Sequence, residues 1–183
     1  MKSVMHVQAV GRCPSRPARK KDSMEMVENQ APADVMHSVF QLGIVVSDLE
    51  ARIQAMKQAF GIEPCIQMEC KYPDLYYRGE KIESWARIAK YDNFGVLLEF
   101  IQPMGDDSMW SDALKESGKD CVLHHIRFND VPDNDALTSV FAQRGIEMLQ
   151  EGGSVVHPGC KFTFYDTEKQ LGFVTEVVTA VTE

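Results

Sequence analysis

The sequence lacks any apolar run near the ~20 residues that a membrane span requires. It also lacks a C-x-x-C pair, although it holds five cysteines: Cys13, Cys65, Cys70, Cys121 and Cys160. An odd number without that spacing argues against both a disulfide framework and a thiolate zinc site. A reducing cytoplasm is therefore the expected compartment, and Cys160, after Pro158-Gly159 in an expected loop, reads as an ordinary buried or loop thiol rather than a nucleophile. Cations are scarce. The chain has 19 Lys and Arg against 27 Asp and Glu, a formal charge of −8, which excludes nucleic acid as the main partner because phosphate neutralisation needs clustered positive charge. No apolar core of the length a secretory signal needs occurs near the start. What remains is 44% apolar and 25% charged residues, the composition of a folded globular chain.

The charge is unevenly spread. Residues 1–21 carry six basic side chains (Lys2, Arg12, Arg16, Arg19, Lys20 and Lys21) and no acid, while residues 22–183 carry 27 acids against 13 bases. Pro14, Pro17 and Pro32 interrupt any helix in the first 35 residues. Residues 1–35 are expected to be a disordered basic tail. An acid-poor, Arg-containing start also fits an organelle transit segment, or a reading frame whose true start is Met24 or Met36.

An internal repeat organises the rest. QLGIVVSDLEARIQAMKQAFGIEP from Gln41 matches HIRFNDVPDNDALTSVFAQRGIEM from His125, carrying Gly61-Ile62-Glu63 onto Gly145-Ile146-Glu147. In each copy an apolar strand precedes a helix of about three turns. Asp48 suits the N-cap of the first helix, Asp133 or Asn134 that of the second, and each closes on a glycine. Further on, GVLLEFI (95–101) matches GFVTEVV (172–178), both bounded by turn residues and both reading as strands. Two more strands per copy fit near 65–70 and 83–90, and near 147–151 and 160–165. The fold class is therefore α+β, built of tandem βαβββ modules. The expected bounds are 36–102 for the first module, 103–122 for a linker broken by Pro103, Gly105 and Gly118, and 123–183 for the second.

A helix covers only one face of each module's sheet, so the other must pack on a partner or line a cavity. Strand alternation puts Leu42, Ile44 and Val46 under the first helix and Gln41 on the open face; His125 and Arg127 share the open face of the second copy, with His124 turned away as a structural residue. Glu99 and Glu176 fall mid-strand on that open face at equivalent repeat positions. A carboxylate on a half-buried strand must be paired, hydrogen-bonded or metal-bound. Gln41, Glu99, His125 and Glu176, from four strands, thus converge as ligand-type residues.

These segments together resemble the vicinal oxygen chelate superfamily, which includes glyoxalase I, methylmalonyl-CoA epimerase, bleomycin-resistance proteins and extradiol dioxygenases. The carrying stretches are QLGIVVSDLEARIQAMKQAFG, VLLEFIQPMG, LHHIRFNDV and YDTEKQLGFVTEVV, spanning residues 38–178, and the glyoxalase and methylmalonyl-CoA epimerase branch is the nearest in pattern. The resemblance implies a cup-shaped mixed sheet with helices outside and a homodimer. It also implies metal ligands at Gln41, where the family has His, and at Glu99, His125 and Glu176. One imidazole, two carboxylates and an amide suit Ni, Co, Mn, Mg or Zn better than oxygen-activating iron.

The implied activity is that of an isomerase, epimerase or lyase, with a proton removed next to a carbonyl and the enolate held by the metal. Glu176 is the expected base, Glu99 its symmetric partner, and Glu83 a further candidate carboxylate. Arg127, Trp85, Phe164 and His157 are candidate substrate contacts. The expected substrate is a small molecule: a CoA thioester, a hemithioacetal or a keto acid. Two other functions remain open. A binding module of the bleomycin-resistance type is kept in play by Gln41, and an Fe(II) dioxygenase is disfavoured by the single convergent His.

Overall fold

The structure, a computed structural model, describes residues 38–180 apart from 73, 130 and 132, together with residues 31, 32 and 36. The tail expected over 1–35 lies outside the described residues except at 31 and 32.

The first half begins with β1 (Ser38–Val46), α1 (Leu49–Phe60), β2 (Ile66–Lys71) and a short hairpin of β3 (Tyr76–Tyr77) and β4 (Glu80–Lys81). It ends with β5 (Trp85–Tyr91) and β6 (Leu97–Pro103). Helix α2 (Met109–Ser117) then leads to β7 (Cys121–Asn129), α3 (Asn134–Gln143), β8 (Met148–Gly153), β9 (Cys160–Tyr165), α4 (Glu168–Leu171) and β10 (Val174–Ala180). Among the described residues, ten strands join one mixed sheet in the order β2-β5-β6-β1-β7-β10-β9-β8-β3-β4. The repeat is visible in the pairing. β1 runs parallel to β6 and β7 parallel to β10, while β1 and β7 meet antiparallel at the centre. The two modules pair within one chain.

The helices form where their sequences dictate. In α1, Leu49, Ile53 and Met56 recur at helical spacing and bury against Val46, Ala89 and Phe100 on one face of the sheet. Asp48 accepts a hydrogen bond from the Ala51 backbone N–H at 3.0 Å, and Gly61 ends the helix in the left-handed region at φ 69°. In α3 the cap is Asp133 rather than Asn134, and Leu137, Val140 and Phe141 pack on Tyr165 and Val177. Residues facing the opposite way, among them Ile88, Ile101, Phe162, Phe164, Val174 and Val178, form the core inside the curled sheet.

Two features differ from the sequence reading. The stretch read as a linker, 103–122, contains helix α2, opened by a Ser108–Ser111 capping box and closed at Gly118. The apparent breakers there are helix boundaries, and Trp110, 1% exposed, plugs the inner core from this helix. Second, the β3–β4 hairpin leaves its own half and pairs Tyr76 and Tyr77 with Glu151 and Gln150 at the far edge of the sheet. Cys160 opens β9 and is buried, so it is not a loop residue.

Candidate functional site

The four central strands and β5 set out the polar residues in two rows. One row crosses five strands through Lys90, Glu99, Gly43, His125 and Val174. The next runs Leu97, Gln41, Arg127 and Glu176. Because residues in register share a face, Lys90, Glu99, Gln41, His125, Arg127 and Glu176 all point into the concave side. Each is at most 6% exposed. Gly43 has a steric task in the first row: a β-carbon there would fall within the His125 imidazole.

The side chains form a single network. Gln41 Nε2 donates to Glu99 Oε2 at 2.6 Å and reaches Glu176 Oε2 at 3.4 Å. His125 Nε2 lies 3.3 Å from Glu176 Oε2 and 3.7 Å from Glu99 Oε2, with no hydrogen bond of proper geometry. His125 Nδ1 stands 3.1 Å from His124 Nδ1, so one ring donates and the other accepts. The Lys90 ammonium binds Glu99 Oε1 at 2.8 Å and the Gln41 amide oxygen at 3.3 Å.

Burial and charge separate the two carboxylates. Burial alone would raise the Glu99 carboxyl, but the Lys90 ammonium and His125 outweigh it and bring the pKa to about 2. Glu176 lacks an ammonium in contact; burial dominates and pushes its pKa up, opposed by His125 and Arg127. His124 is driven down to about 3 by burial and by His125, so it stays neutral.

A cavity of about 40 Å³ adjoins these groups, lined by Tyr72, Trp110, Phe162 and Phe164 on its apolar side and by Ser154–His157 of the β8–β9 loop. That volume holds water molecules or an ion rather than a whole substrate. Arg127 lines it with its Nε unpartnered and its guanidinium stacked 4.6 Å from the Phe40 ring centre.

Of the residues singled out from the sequence, Gln41, Glu99, Glu176, Arg127, Phe164 and His157 line this cavity, and His125 lies outside its lining, 3.3 Å from Glu176 Oε2. Burial, Arg127 and Lys90 lower the His157 pKa. Glu83 and Trp85 are not brought there. Glu83 is exposed in the link before β5, and Trp85 starts that strand away from the cavity lining. Lys90 went unrecognised, although the signal was present: Ala86, Ile88 and Lys90 share one strand face, and a lysine in that apolar series is as anomalous as Glu99.

The donor types suit a divalent cation. His125 Nε2 is a buried atom without a hydrogen-bond partner, and a carboxylate oxygen from each of Glu99 and Glu176 faces it. Gln41 turns its N–H rather than its oxygen toward those carboxylates, so it joins such a set only with its amide reversed. Among the described residues, no three His, Cys, Asp or Glu side chains form a metal cage by themselves.

No curated protein sequence matches the chain. Among solved structures, a Mycobacterium tuberculosis methylmalonyl-CoA epimerase is similar, with a TM-score of 0.57 and 13% identity over 86% of this chain and 96% of its own. A point variant of the Streptomyces coelicolor methylmalonyl-CoA epimerase in complex with 2-nitronate-propionyl-CoA gives 0.56 and 20% over 80% and 96%. A methylmalonyl-CoA epimerase in complex with methylmalonyl-CoA and NH4+ gives 0.52 and 21% over 79% and 94%. At these identities the likeness shows the fold. The family model for the glyoxalase/bleomycin resistance protein/dioxygenase superfamily matches residues 40–164. With the paired β1–β6 and β7–β10 halves and their converging residues, the chain belongs to that superfamily.

Proposed function

We propose that the chain removes a proton from the carbon next to a carbonyl, as an isomerase, epimerase or lyase, with Glu176 as the base. The observation that carries this reading is the division of labour between two repeat-equivalent carboxylates. Glu99 is ion-paired and ionised, whereas Glu176 is buried with a raised pKa and no ammonium in contact. A carboxyl shifted toward neutrality takes and returns a proton more evenly than an ordinary one. Gln41, Glu99, His125 and Glu176 are the residues that would hold a divalent cation, which when bound acts as a Lewis acid on the substrate carbonyl. His124 orients His125 through the 3.1 Å Nδ1–Nδ1 contact. Arg127 offers an unpartnered Nε to an anionic group of the substrate. The aromatic wall lowers the polarity around the proton in transfer.

The similar epimerases were solved with a 2-nitronate-propionyl-CoA complex and with methylmalonyl-CoA. We take an acyl-CoA thioester with a small acid group as the first substrate class to try, ahead of a hemithioacetal or a keto acid. The Lys90–Glu99 pair favours one second reading, binding without chemistry, because it balances charge in the site with no ion added. Solvent deuterium separates the two. Incorporation at the carbon beside the carbonyl, in a panel of methylmalonyl-CoA, a glutathione hemithioacetal and a keto acid, supports catalysis. Tight binding of a panel member with no incorporation overturns it.

A further inference from the structure

We propose that Lys90 is a resident cation that holds the site in a metal-free arrangement and opposes divalent metal binding. The inference rests on the reading above that Gln41, Glu99, His125 and Glu176 form the ligand set. Three observations carry it. First, the Lys90 ammonium is buried, 4% exposed, and bonds to two members of that set: Glu99 Oε1 at 2.8 Å and Gln41 Oε1 at 3.3 Å. Second, this second contact fixes which end of the amide faces inward. With its oxygen held by Lys90, Gln41 presents Nε2–H to the carboxylate oxygens at 2.6 and 3.4 Å. Coordination needs the oxygen turned in, and that reversal would bring the amide NH2 against the ammonium, donor against donor. Third, the charge is already matched. Two carboxylates, Glu99 and Glu176, face two cations, Lys90 and Arg127, across the β5–β6 and β7–β10 pairings. An incoming divalent ion meets a site without surplus negative charge, at separations where like charges repel strongly in a buried setting.

Lys90 thus acts as a selector. A metal enters only by displacing Lys90 from Glu99 and Gln41. Metal binding is weak and exchangeable for that reason, rather than because Gln41 replaces an imidazole.

The test titrates the full-length protein with Co(II) alone, followed by calorimetry and by the visible absorption of the bound ion. Lys90→Met is expected to bind Co(II) roughly tenfold tighter or more than the wild type, and Lys90→Arg to remain as weak. If Lys90→Met binds no tighter than a wild type that does bind Co(II), the inference is overturned and the ligand-set reading stands. If Co(II) binds neither the wild type nor Lys90→Met, both fall together. Should Lys90→Met fail to fold without metal, Lys90→Gln takes its place, since it keeps a hydrogen-bond donor beside Glu99 without the charge. It is expected to bind Co(II) tighter than the wild type, and equal affinity overturns the inference.

Discussion

Gly43 and His125 face each other across the central β1–β7 pair, and the imidazole occupies the space that a side chain at position 43 would fill. Glu99 lies on the other side of Gly43 in the same row. The absence of one side chain therefore lets a carboxylate and an imidazole from non-adjacent strands approach.

Gly43→Ala should displace the His125 ring with the sheet left intact. Overpacking of this kind costs about 1–3 kcal/mol, visible as a lower thermal midpoint. Because His125 loses its alignment, affinity for added Co(II) should fall by about tenfold or more, the scale seen when a ligand's support is removed. Unchanged midpoint and affinity would show that the ring relocates freely and that Gly43 has no such role.

Much of this architecture was legible in the chain. Gln41, Glu99, His125 and Glu176 could be placed on one face from alternation and the repeat alone, because both signals act over a few residues of strand. Helix α2 was misread because Gly105, Gly118 and the paired aspartates resemble loop punctuation; their true meaning depends on the Ser108 capping box and on Trp110 finding a core to fill. Lys90 was missed for a related reason. A lysine at a strand end reads as solvent-exposed, and only the register Lys90–Glu99 across β5 and β6 shows that it turns inward. Glu83 failed as a candidate because the β3–β4 hairpin shifts the start of β5 beyond it.

The two carboxylates should respond differently to the same substitution. Glu99→Gln leaves the Lys90 ammonium buried without its counter-charge, a change that costs about 3–5 kcal/mol. Glu176→Gln removes a carboxylate that has no ammonium in contact and is disfavoured by burial and by Glu99, though favoured by His125 and Arg127, so its cost to metal-free stability should be smaller than that of Glu99→Gln. Deuterium incorporation should nevertheless vanish in Glu176→Gln. Urea unfolding with matched exchange assays decides the matter. Equal stability losses would mean that Lys90 does not distinguish the pair, and retained exchange would remove Glu176 as the base.

Alkaline stability should report on Tyr165, away from the ligand set. Its hydroxyl donates to Asn134 Oδ1 at 2.8 Å and meets Thr138 Oγ1 at 2.8 Å under helix α3. Burial raises its pKa above the usual value of 10.0. The folded chain thus keeps the phenol neutral after the unfolded chain has released the proton. This contribution is intact below pH 10 and lost as pH rises beyond it. Tyr165→Phe should flatten the decline, at a cost of about 1 kcal/mol at neutral pH for the lost hydrogen bonds. Chemical unfolding at pH 8 and pH 10.5 checks both parts, and parallel decline in the two proteins would assign it to other groups.

Arg127 should set the preference for an acidic substrate. Its guanidinium is buried against Phe40, its Nε has no partner, and its strand neighbour in register is Glu176. A carboxylate on the substrate would meet a planar cation beside the proposed base, a geometry that lysine cannot reproduce. Arg127→Gln should therefore raise KM for methylmalonyl-CoA by about tenfold or more, the scale of a lost charge-assisted hydrogen bond of about 1.5–3 kcal/mol. Exchange into propionyl-CoA, which has no such carboxylate, should change far less. Arg127→Lys should recover only part of the loss. A KM increase of the same size for both thioesters would place Arg127 on the shared CoA portion, or on Glu176 itself, and not on the acid group.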